Sequence, residues 1–261
     1  MLKMHNHEVR FFSMSYPENI NVNENEYFVK EVSFFQSSLN AKLKAALRVF
    51  GVGVKRNYEK ILDDFHPDVI HLNNIHSYLS PIVAELAHKR GIKVIWTVHD
   101  YKLICPTYSF LCQGKPCEAC IENKYSVISR KCMKNSLLAS LLAWGEIMYW
   151  NKGRLSRWTD AFICPSNFMA QKMMQGGYPA NKLHVIYNFI DSGKVKLISE
   201  LSSEERELAY VYLGRLSKEK GIEELLKVAE QLPYKLYIAG RGPLEDILKQ
   251  KYSSDNIKFV G

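Results

Sequence analysis

The sequence contains no apolar run long enough to cross a lipid bilayer. Its longest apolar stretch runs from Leu137 to Trp150, is interrupted by small and polar residues, and falls short of the about 20 residues that a spanning helix needs. The first residues of the chain also lack the apolar core of a signal peptide. We therefore expect a cytoplasmic protein whose six cysteines are reduced.

Blocks of like charge and low-complexity tracts are also absent. The 261 residues are 47% hydrophobic and 24% charged, which excludes a disordered or fibrous chain. The net charge of +8 favours anionic partners, but basic residues alternate with acidic ones, as in LSKEKGIEELLK. A nucleic-acid-binding protein would concentrate its excess charge in a stripe or tail, so we expect no nucleic acid partner.

Short apolar runs rich in β-branched and aromatic residues recur along the chain, separated by segments with helical spacing. They are HEVRFFSM, PDVIHL, IKVIWTVHD, DAFICPS, LHVIYN, AYVYLG, KLYIAG and NIKFVG. Continuous apolarity predicts strands buried on both faces, and thus an α/β fold with parallel sheets covered by helices. Helices are predicted from Ser80 to Arg90 and from Gly221 to Gln231.

A polar stretch from Ser192 to Glu207 separates five of these runs from the last three. We place a domain boundary there. The predicted organisation is a first domain at 1–195, a linker at 196–207 and part of a second domain at 208–261.

Two successive strand-to-helix loops carry residues suited to a diphosphate. In LGRLSKEKGIEELL, Arg215 and Lys220 lie between a strand and the start of a helix, and in IAGRGPLED the next strand is followed by Gly240 and Gly242. A helix N-terminus binds anions, and glycines allow close approach of a ligand to the backbone. Taken singly, each segment also fits a solvated basic turn or an ordinary tight turn.

These segments, with VIYNFID, CPSNFM, PDVIHLNNIHSYLSP and VIWTVHDYKLICP, resemble the GT-B glycosyltransferases of family 4. The resemblance implies two Rossmann-like parallel-sheet domains, the second incomplete here. It also implies retaining transfer of a hexosyl group from a nucleotide-diphosphate sugar to a glycan or lipid-linked acceptor, in the synthesis of a bacterial surface polysaccharide. No cofactor and no metal for the chemistry are implied.

The resemblance also assigns roles to individual residues. It implies that Arg215 and Lys220 bind the donor diphosphate and that His99, in TVHD, lies close to the transferred sugar. Asn188, Gly240 and Gly242 match donor-cleft positions more loosely. Without the resemblance, a buried structural histidine is the preferred interpretation of His99.

Two elements of the family pattern are expected outside this chain. The paired glutamates that grip the donor sugar and ribose should follow Gly261, and an opening strand with a glycine-rich loop should precede Glu8. We therefore interpret the chain as cut at both ends. The alternative function is a non-catalytic or degenerate fragment that binds a glycan or a partner without turnover.

Cysteines form a second cluster of candidate residues. Cys117 and Cys120 have the C-x2-C spacing of half a zinc site, Cys132 follows, and Cys112 could be the fourth ligand. Close relatives within the family carry a further cysteine where this sequence has Ile128. Structural zinc and a reduced, metal-free loop are both left open.

The stretch at 136–158 combines an apolar block with a basic end. Its aromatic and cationic residues are Trp144, Trp150, Lys152, Arg154, Arg157 and Trp158. Such a helix can lie on an anionic membrane, here at the inner face of the plasma membrane, or pack inside the first domain.

Overall fold

A computed structural model describes residues 2–17, 19, 26–32, 38–201, 207–252 and 254–261. The chain divides into two compact units, Met1–Phe189 and Ile190–Gly261. Each unit is described by itself below.

The strands of the first unit are β1 (Met14–Ser15), β2 (Val29–Lys30), β3 (Val69–Asn73), β4 (Lys93–Thr97), β5 (Leu111–Cys112), β6 (Lys115–Pro116), β7 (Ala161–Cys164) and β8 (Leu183–Val185). Its helices are α1 (Leu39–Arg48), α2 (Lys55–Phe65), α3 (His76–Leu79), α4 (Ile82–Lys89), α5 (Ala119–Glu122), α6 (Ser126–Ser129), α7 (Leu137–Tyr149), α8 (Lys152–Trp158) and α9 (Asn167–Gln175). Short 3-10 turns occupy Leu2–His5 and Ala180–Lys182.

A parallel sheet in the order β3-β4-β7-β8 forms the centre of the first unit. Trp96 of β4 and Phe162 of β7 are fully buried, and their rings stack 6.3 Å apart. The α/β class with parallel sheets predicted from the apolar runs is confirmed. Because parallel neighbours end at the same edge, the residues that follow β3 and β4 are brought together.

The helix predicted at Ser80 to Arg90 is present as α4. It buries Val83 and Ala84 almost completely, and Gly91 follows it with a positive φ of 72°. Only glycine adopts that backbone conformation without strain, which ends the helix.

The first apolar run is a strand only at its end. We expected a strand across HEVRFFSM, yet β1 begins at Met14 and Phe11 is 50% exposed. The described partner of β1 is the two-residue β2, so among the described residues no strand is paired with the part of the run before Met14.

The second unit contains helix α10 (Ser192–Leu201), strand β9 (Ala209–Leu213), helix α11 (Ile222–Ala229), strand β10 (Lys235–Ala239), helix α12 (Glu245–Lys251) and strand β11 (Ile257–Phe259). The strands are parallel in the order β11-β10-β9. Helix α11 is the helix predicted to begin at Gly221, and it buries Ile222, Leu226 and Ala229 fully.

Burial on both faces, which we expected for every strand, is wrong for β9. Val211 and Leu213 of this edge strand are 67% and 82% exposed. In β10, by contrast, Leu236 and Ile238 are fully buried. Apolar composition alone does not distinguish an edge strand from a central one.

The stretch predicted as a linker at 196–207 begins within a helix. Asp191 Oδ1 accepts hydrogen bonds from the amides of Gly193 and Lys194, and α10 continues to Leu201. Residues 202–206 lie outside the described part of the chain. The domain bounds given from the sequence remain a prediction.

In the described ranges, none of the helices combines the length and the apolarity required to cross a membrane.

Candidate functional site

The carboxyl edge of the first sheet places His99 beside Asn73. Asn73 ends β3 opposite Thr97 of β4, and His99 comes two residues after Thr97. The Nε2 atom of His99 lies 2.9 Å from Asn73 Oδ1. The His99 side chain is exposed, so it is not the buried structural histidine that the sequence left open. Because the contact uses Nε2, the Nδ1 atom is the ring nitrogen left to meet a ligand.

A second imidazole, that of His71, lies on β3 two residues before Asn73. His71 Nε2 lies 2.7 Å from Thr97 Oγ1. Burial, followed by the neighbouring His99, lowers the pKa of His71. A lowered pKa keeps the His71 ring neutral at pH 7, so it leaves His99 without an adjacent imidazolium charge.

Asp100 follows His99 and pairs with a third histidine. His76 Nε2 lies 3.5 Å from Asp100 Oδ1, which also accepts a hydrogen bond of 2.9 Å from the Lys102 amide. Burial would raise the pKa of the Asp100 carboxyl, but its contacts with His76 and Lys102 outweigh burial and lower it. The segment after β4 is thus held by an ionised carboxylate.

In the second unit, the two strand-to-helix loops pack backbone against backbone. The Gly214 amide donates to Ala239 O at 3.1 Å, and the Leu216 amide donates to Arg241 O at 3.0 Å. A Cβ atom on Gly240 would overlap the Gly214 carbonyl, and one on Gly242 would overlap the Leu216 carbonyl. These contacts by themselves require both glycines, whatever a ligand also requires.

Arg215 and Lys220 both project from the loop between β9 and α11 and are exposed. Gly221 precedes α11 with a φ of 64°, and among the residues that the structure describes no side chain caps the first turn. The pKa of Glu219 is lowered, first by the Ser217 hydroxyl, which donates to it at 2.6 Å, and in part by the charges of Arg215 and Lys220. Glu219 therefore offsets part of the positive charge of this loop.

The predicted site residues thus fall into separate groups. Arg215, Gly240 and Gly242 share the paired loops of the second unit. Asn188 is exposed after β8 in the first unit. Sequence reasoning missed Asn73, although its place at the end of the strand before β4 was a usable signal.

The cysteine segment does not have the arrangement of a metal site. Cys112 Sγ lies 3.2 Å from Cys132 Sγ, whereas Cys120 is buried, and Arg130 Nη1 lies 3.3 Å from Cys117 Sγ. Throughout the part of the chain that the structure describes, no group of three or more His, Cys, Asp or Glu side chains is placed to hold a metal ion.

The sequence of this chain matches the model of a known protein family. The sequence model described as Glycosyltransferase Family 4 matches residues 1–194. The chain belongs to glycosyltransferase family 4. The match covers β3, β4 and His99 as well as the cysteine segment, and it ends before the loop that carries Arg215.

Curated relatives of this family 4 chain come from Klebsiella pneumoniae. One, "Uncharacterized 42.6 kDa protein in cps region", is 26% identical over 217 residues, or 82% of this chain and 51% of the relative. Another, "Uncharacterized 41.2 kDa protein in cps region", is 26% identical over 74% of this chain and 48% of its own length. The chain therefore spans about half the length of these relatives.

The solved structures that the chain matches include Anabaena HepE in complex with UDP, at 16% identity and a TM-score of 0.47. The match covers 78% of the family 4 chain and 51% of HepE. The UDP-N-acetylglucosamine 2-epimerase of Rickettsia bellii is 11% identical, with a TM-score of 0.44, and the match covers 88% of this chain and 53% of the epimerase.

Proposed function

We propose that the protein transfers a hexosyl group from a nucleotide-diphosphate sugar to a glycan or lipid-linked acceptor, with retention of the anomeric configuration. Membership of glycosyltransferase family 4, established over residues 1–194, carries this proposal. The setting is the synthesis of a bacterial surface polysaccharide, which is supported by relatives described as proteins in a cps region.

Arg215 and Lys220 bind the donor diphosphate in this proposal. The guanidinium of Arg215 can contact two phosphate oxygens at once, while Lys220 supplies a compact charge at the start of α11. Both side chains are exposed and project from one loop, so a diphosphate can reach them. As the nucleoside diphosphate leaves, the same charges stabilise the negative charge that develops on it. Gly240 and Gly242 keep the neighbouring loop against this one.

His99 lies next to the transferred sugar in this proposal, and Asn188 contributes to the donor cleft. The contact of His99 with Asn73 fixes the plane of the imidazole ring. A ring held in one orientation costs less conformational entropy when the sugar binds, so Asn73 acts as a positioning residue. No metal or cofactor is part of the proposed chemistry.

Calorimetry with a panel of nucleotide-diphosphate sugars tests the donor site. We expect at least one donor to bind at micromolar concentration. Arg215→Ala should weaken its binding about 10- to 100-fold, since a hydrogen bond to a charged group contributes about 1.5–3 kcal/mol.

Lys227→Ala is the matched control for this measurement. Lys227 is an exposed cation of α11, the helix that follows the loop of Arg215. Its donor affinity should equal that of the unaltered protein. Retained binding of a glycan with no binding of any nucleotide sugar would reject the donor site and favour a non-catalytic glycan-binding fragment.

We further propose that the protein is cytoplasmic and contacts the inner face of the plasma membrane through the outer face of α7. Leu138, Leu141 and Met148 repeat at helical spacing on this face and are 79%, 41% and 47% exposed. The tryptophan at the end of α7 does not belong to it, because Trp150 is 3% exposed and its indole donates to Val49 O at 2.7 Å.

Helix α1 presents a second apolar stripe. Leu39, Leu43 and Leu47 are 83%, 57% and 43% exposed. The ring of Phe50, which follows α1, contacts the ring of Tyr149 at the end of α7, with the ring centroids 5.4 Å apart.

The charges around these helices suit anionic lipid. Lys152, Arg154 and Arg157 of α8 are all exposed. The one acidic residue at 123–159, Glu146, is buried and paired with Lys102. An apolar face bordered by cations and free of exposed carboxylates is typical of a helix that lies on an anionic bilayer.

Flotation with vesicles tests this contact. Binding is expected to vesicles that contain phosphatidylglycerol, with loss of binding after the double change of Leu138 and Leu141 to Gln. Val228→Gln, at an exposed valine of α11, should have no effect. If the protein instead formed a dimer at every salt concentration and bound no vesicles, that result would contradict membrane contact.

A further inference from the structure

The cysteine segment brings two thiols into contact. Five of the six cysteines lie between residues 105 and 132. Within this segment, the Sγ atoms of Cys112 and Cys132 are 3.2 Å apart although 20 residues separate them in the chain. The proposed transfer reaction uses neither thiol.

A tight hairpin fixes the backbone of Cys112. Strands β5 and β6 pair antiparallel with Cys112 opposite Lys115, and Gln113 and Gly114 form the two-residue turn with φ values of 53° and 79°. Two successive positive φ angles are typical of the turn type that suits the twist of a hairpin. The residue before such a turn has little freedom to move away.

The turn after α6 fixes the backbone of Cys132. The Cys132 amide donates to Val127 O at 3.0 Å, and Val127 and Ile128 are 0% and 7% exposed. The carbonyl of Arg130 lies 3.8 Å from Cys112 Sγ and 3.5 Å from the side-chain amide of Gln113. Packing and hydrogen bonds on both sides therefore hold the two sulfur atoms next to each other.

Accessibility distinguishes this pair from three of the other four thiols. Cys112 and Cys132 are both half-buried, so a small molecule in solution can reach them. Cys105 and Cys120 are each 4% exposed, and Cys164 is fully buried. Cys117, also half-buried, contacts the guanidinium of Arg130 at 3.3 Å.

Cys132 is the hydrogen-bond donor in the contact between the two thiols. Burial, followed by the neighbouring Cys112 thiol, raises the pKa of Cys132 to about 12. Cys132 therefore stays protonated at neutral pH, and its S–H group is the hydrogen-bond donor to the Cys112 sulfur. The thiolate is the nucleophilic form of cysteine.

We propose that Cys112 and Cys132 are a redox modification site that forms a reversible disulfide with hydroperoxides as the oxidant. The Cys112 thiolate attacks the peroxide, the O–O bond breaks, and Cys112 becomes a sulfenic acid as one water or alcohol leaves. Cys132 then attacks that sulfur as its thiol proton passes to the departing oxygen, the S–O bond breaks, the S–S bond forms and a water leaves. Two electrons pass from the two thiols to one peroxide.

The geometry permits this bond with little rearrangement. The sulfur atoms must close from 3.2 Å to about 2.05 Å, a shift within reach of side-chain rotation. A thiol-disulfide exchange with a dithiol reductant reverses the bond.

Peroxide treatment followed by alkylation and peptide mass spectrometry tests the proposal on the folded protein. The expected product is a cross-linked peptide that joins Cys112 to Cys132, lighter by two hydrogen atoms and cleaved by dithiothreitol. Cys112→Ser and Cys132→Ser should each abolish it, while Cys117→Ser should leave its yield unchanged.

Two results would overturn this inference. One is full alkylation of Cys112 and Cys132 after peroxide treatment of the unaltered protein. The other is a cross-link that forms earlier between Cys105 and Cys120, or an earlier cross-link that includes Cys117. The measurement detects a covalent bond in the unaltered protein, so its outcome does not depend on whether a donor binds. Both contradicting results are also obtained on the unaltered protein and do not depend on the folding of a variant.

Discussion

At the residue scale, Gly240 and Gly242 show how two loops can require glycine for contact with each other. The φ of Gly240 is 145°, and the position of a Cβ there is already occupied by the Gly214 carbonyl. Gly242 meets the carbonyl of Leu216 in the same way, and Leu216 is fully buried. Alanine at either position would push the loop of Arg215 away from its neighbour.

Gly240→Ala and Gly242→Ala should each destabilise the second unit by at least about 2 kcal/mol, because backbone atoms cannot move aside as a side chain can. Hydrogen exchange at the amides of Leu236 and Ile238, inside this unit, measures the loss. The control is Gly221→Ala, where the surroundings are open and only the positive φ of 64° costs about 1 kcal/mol. Equal protection of these amides from hydrogen exchange in all three variants would contradict the explanation by loop packing.

His99 illustrates what a sequence can and cannot locate. The apolar run of β4 placed His99 just past the end of a strand, and the structure has it there, exposed. Its contact with Asn73 depends on β3 and β4 being adjacent and parallel in one register, which no local pattern specifies. The role of His99 in transfer remains a prediction.

At the element scale, a buried ion pair ties the segment after β4 to helix α7. Lys102 Nζ lies 2.8 Å from Glu146 Oε2, with side chains 11% and 8% exposed, and it also donates to Pro106 O at 3.0 Å. The same segment carries His99 and Asp100. Packing of α7 is therefore connected to the position of the proposed sugar site.

Glu146→Ala should destabilise the first unit by about 3–5 kcal/mol, because the Lys102 ammonium is left buried without a counter-charge. Urea unfolding followed by tryptophan fluorescence measures this loss, because all four tryptophans lie in the first unit. Joint replacement of Lys102 by Met and Glu146 by Leu should restore most of it, since no unpaired charge then remains.

The ion pair of Glu85 and Lys89 on α4 is the more exposed pair with which the buried pair of Lys102 and Glu146 is compared. Its side chains are 19% and 63% exposed, with a contact of 2.6 Å. Solvent screens this contact, so Glu85→Ala should cost less than about 1 kcal/mol. Similar losses for Glu85→Ala and Glu146→Ala would mean that burial does not set the strength of the inner pair.

Helix α7 also shows why residue type alone did not give its orientation. We singled out Trp144 and Trp150 as candidates for membrane contact, yet Trp150 packs inward while Leu138 faces solvent. Every face of this helix is apolar, with Glu146 as its single charge, so hydrophobic periodicity cannot distinguish the core face.

At the scale of the whole molecule, the predictable part of the fold was its pattern of parallel strands. Buried runs such as those of β4 and β10 end in glycine or polar loops, and these local signals suffice to specify strand-helix-strand units. The hairpin of β5 and β6 was not predicted, because each strand has two residues and its turn sequence is Gln-Gly. The thiol contact at Cys112 depends on that hairpin and could not have been derived from spacing.

The central claim is that this family 4 protein transfers a hexosyl group with retention. Its most direct test is nuclear magnetic resonance of the product formed from a donor that the protein binds. We expect a glycoside with the same anomeric configuration as the donor, and no product from His99→Ala at unchanged donor affinity. A product of opposite configuration, or a bound donor that is never consumed in the presence of acceptor glycans, would contradict the account.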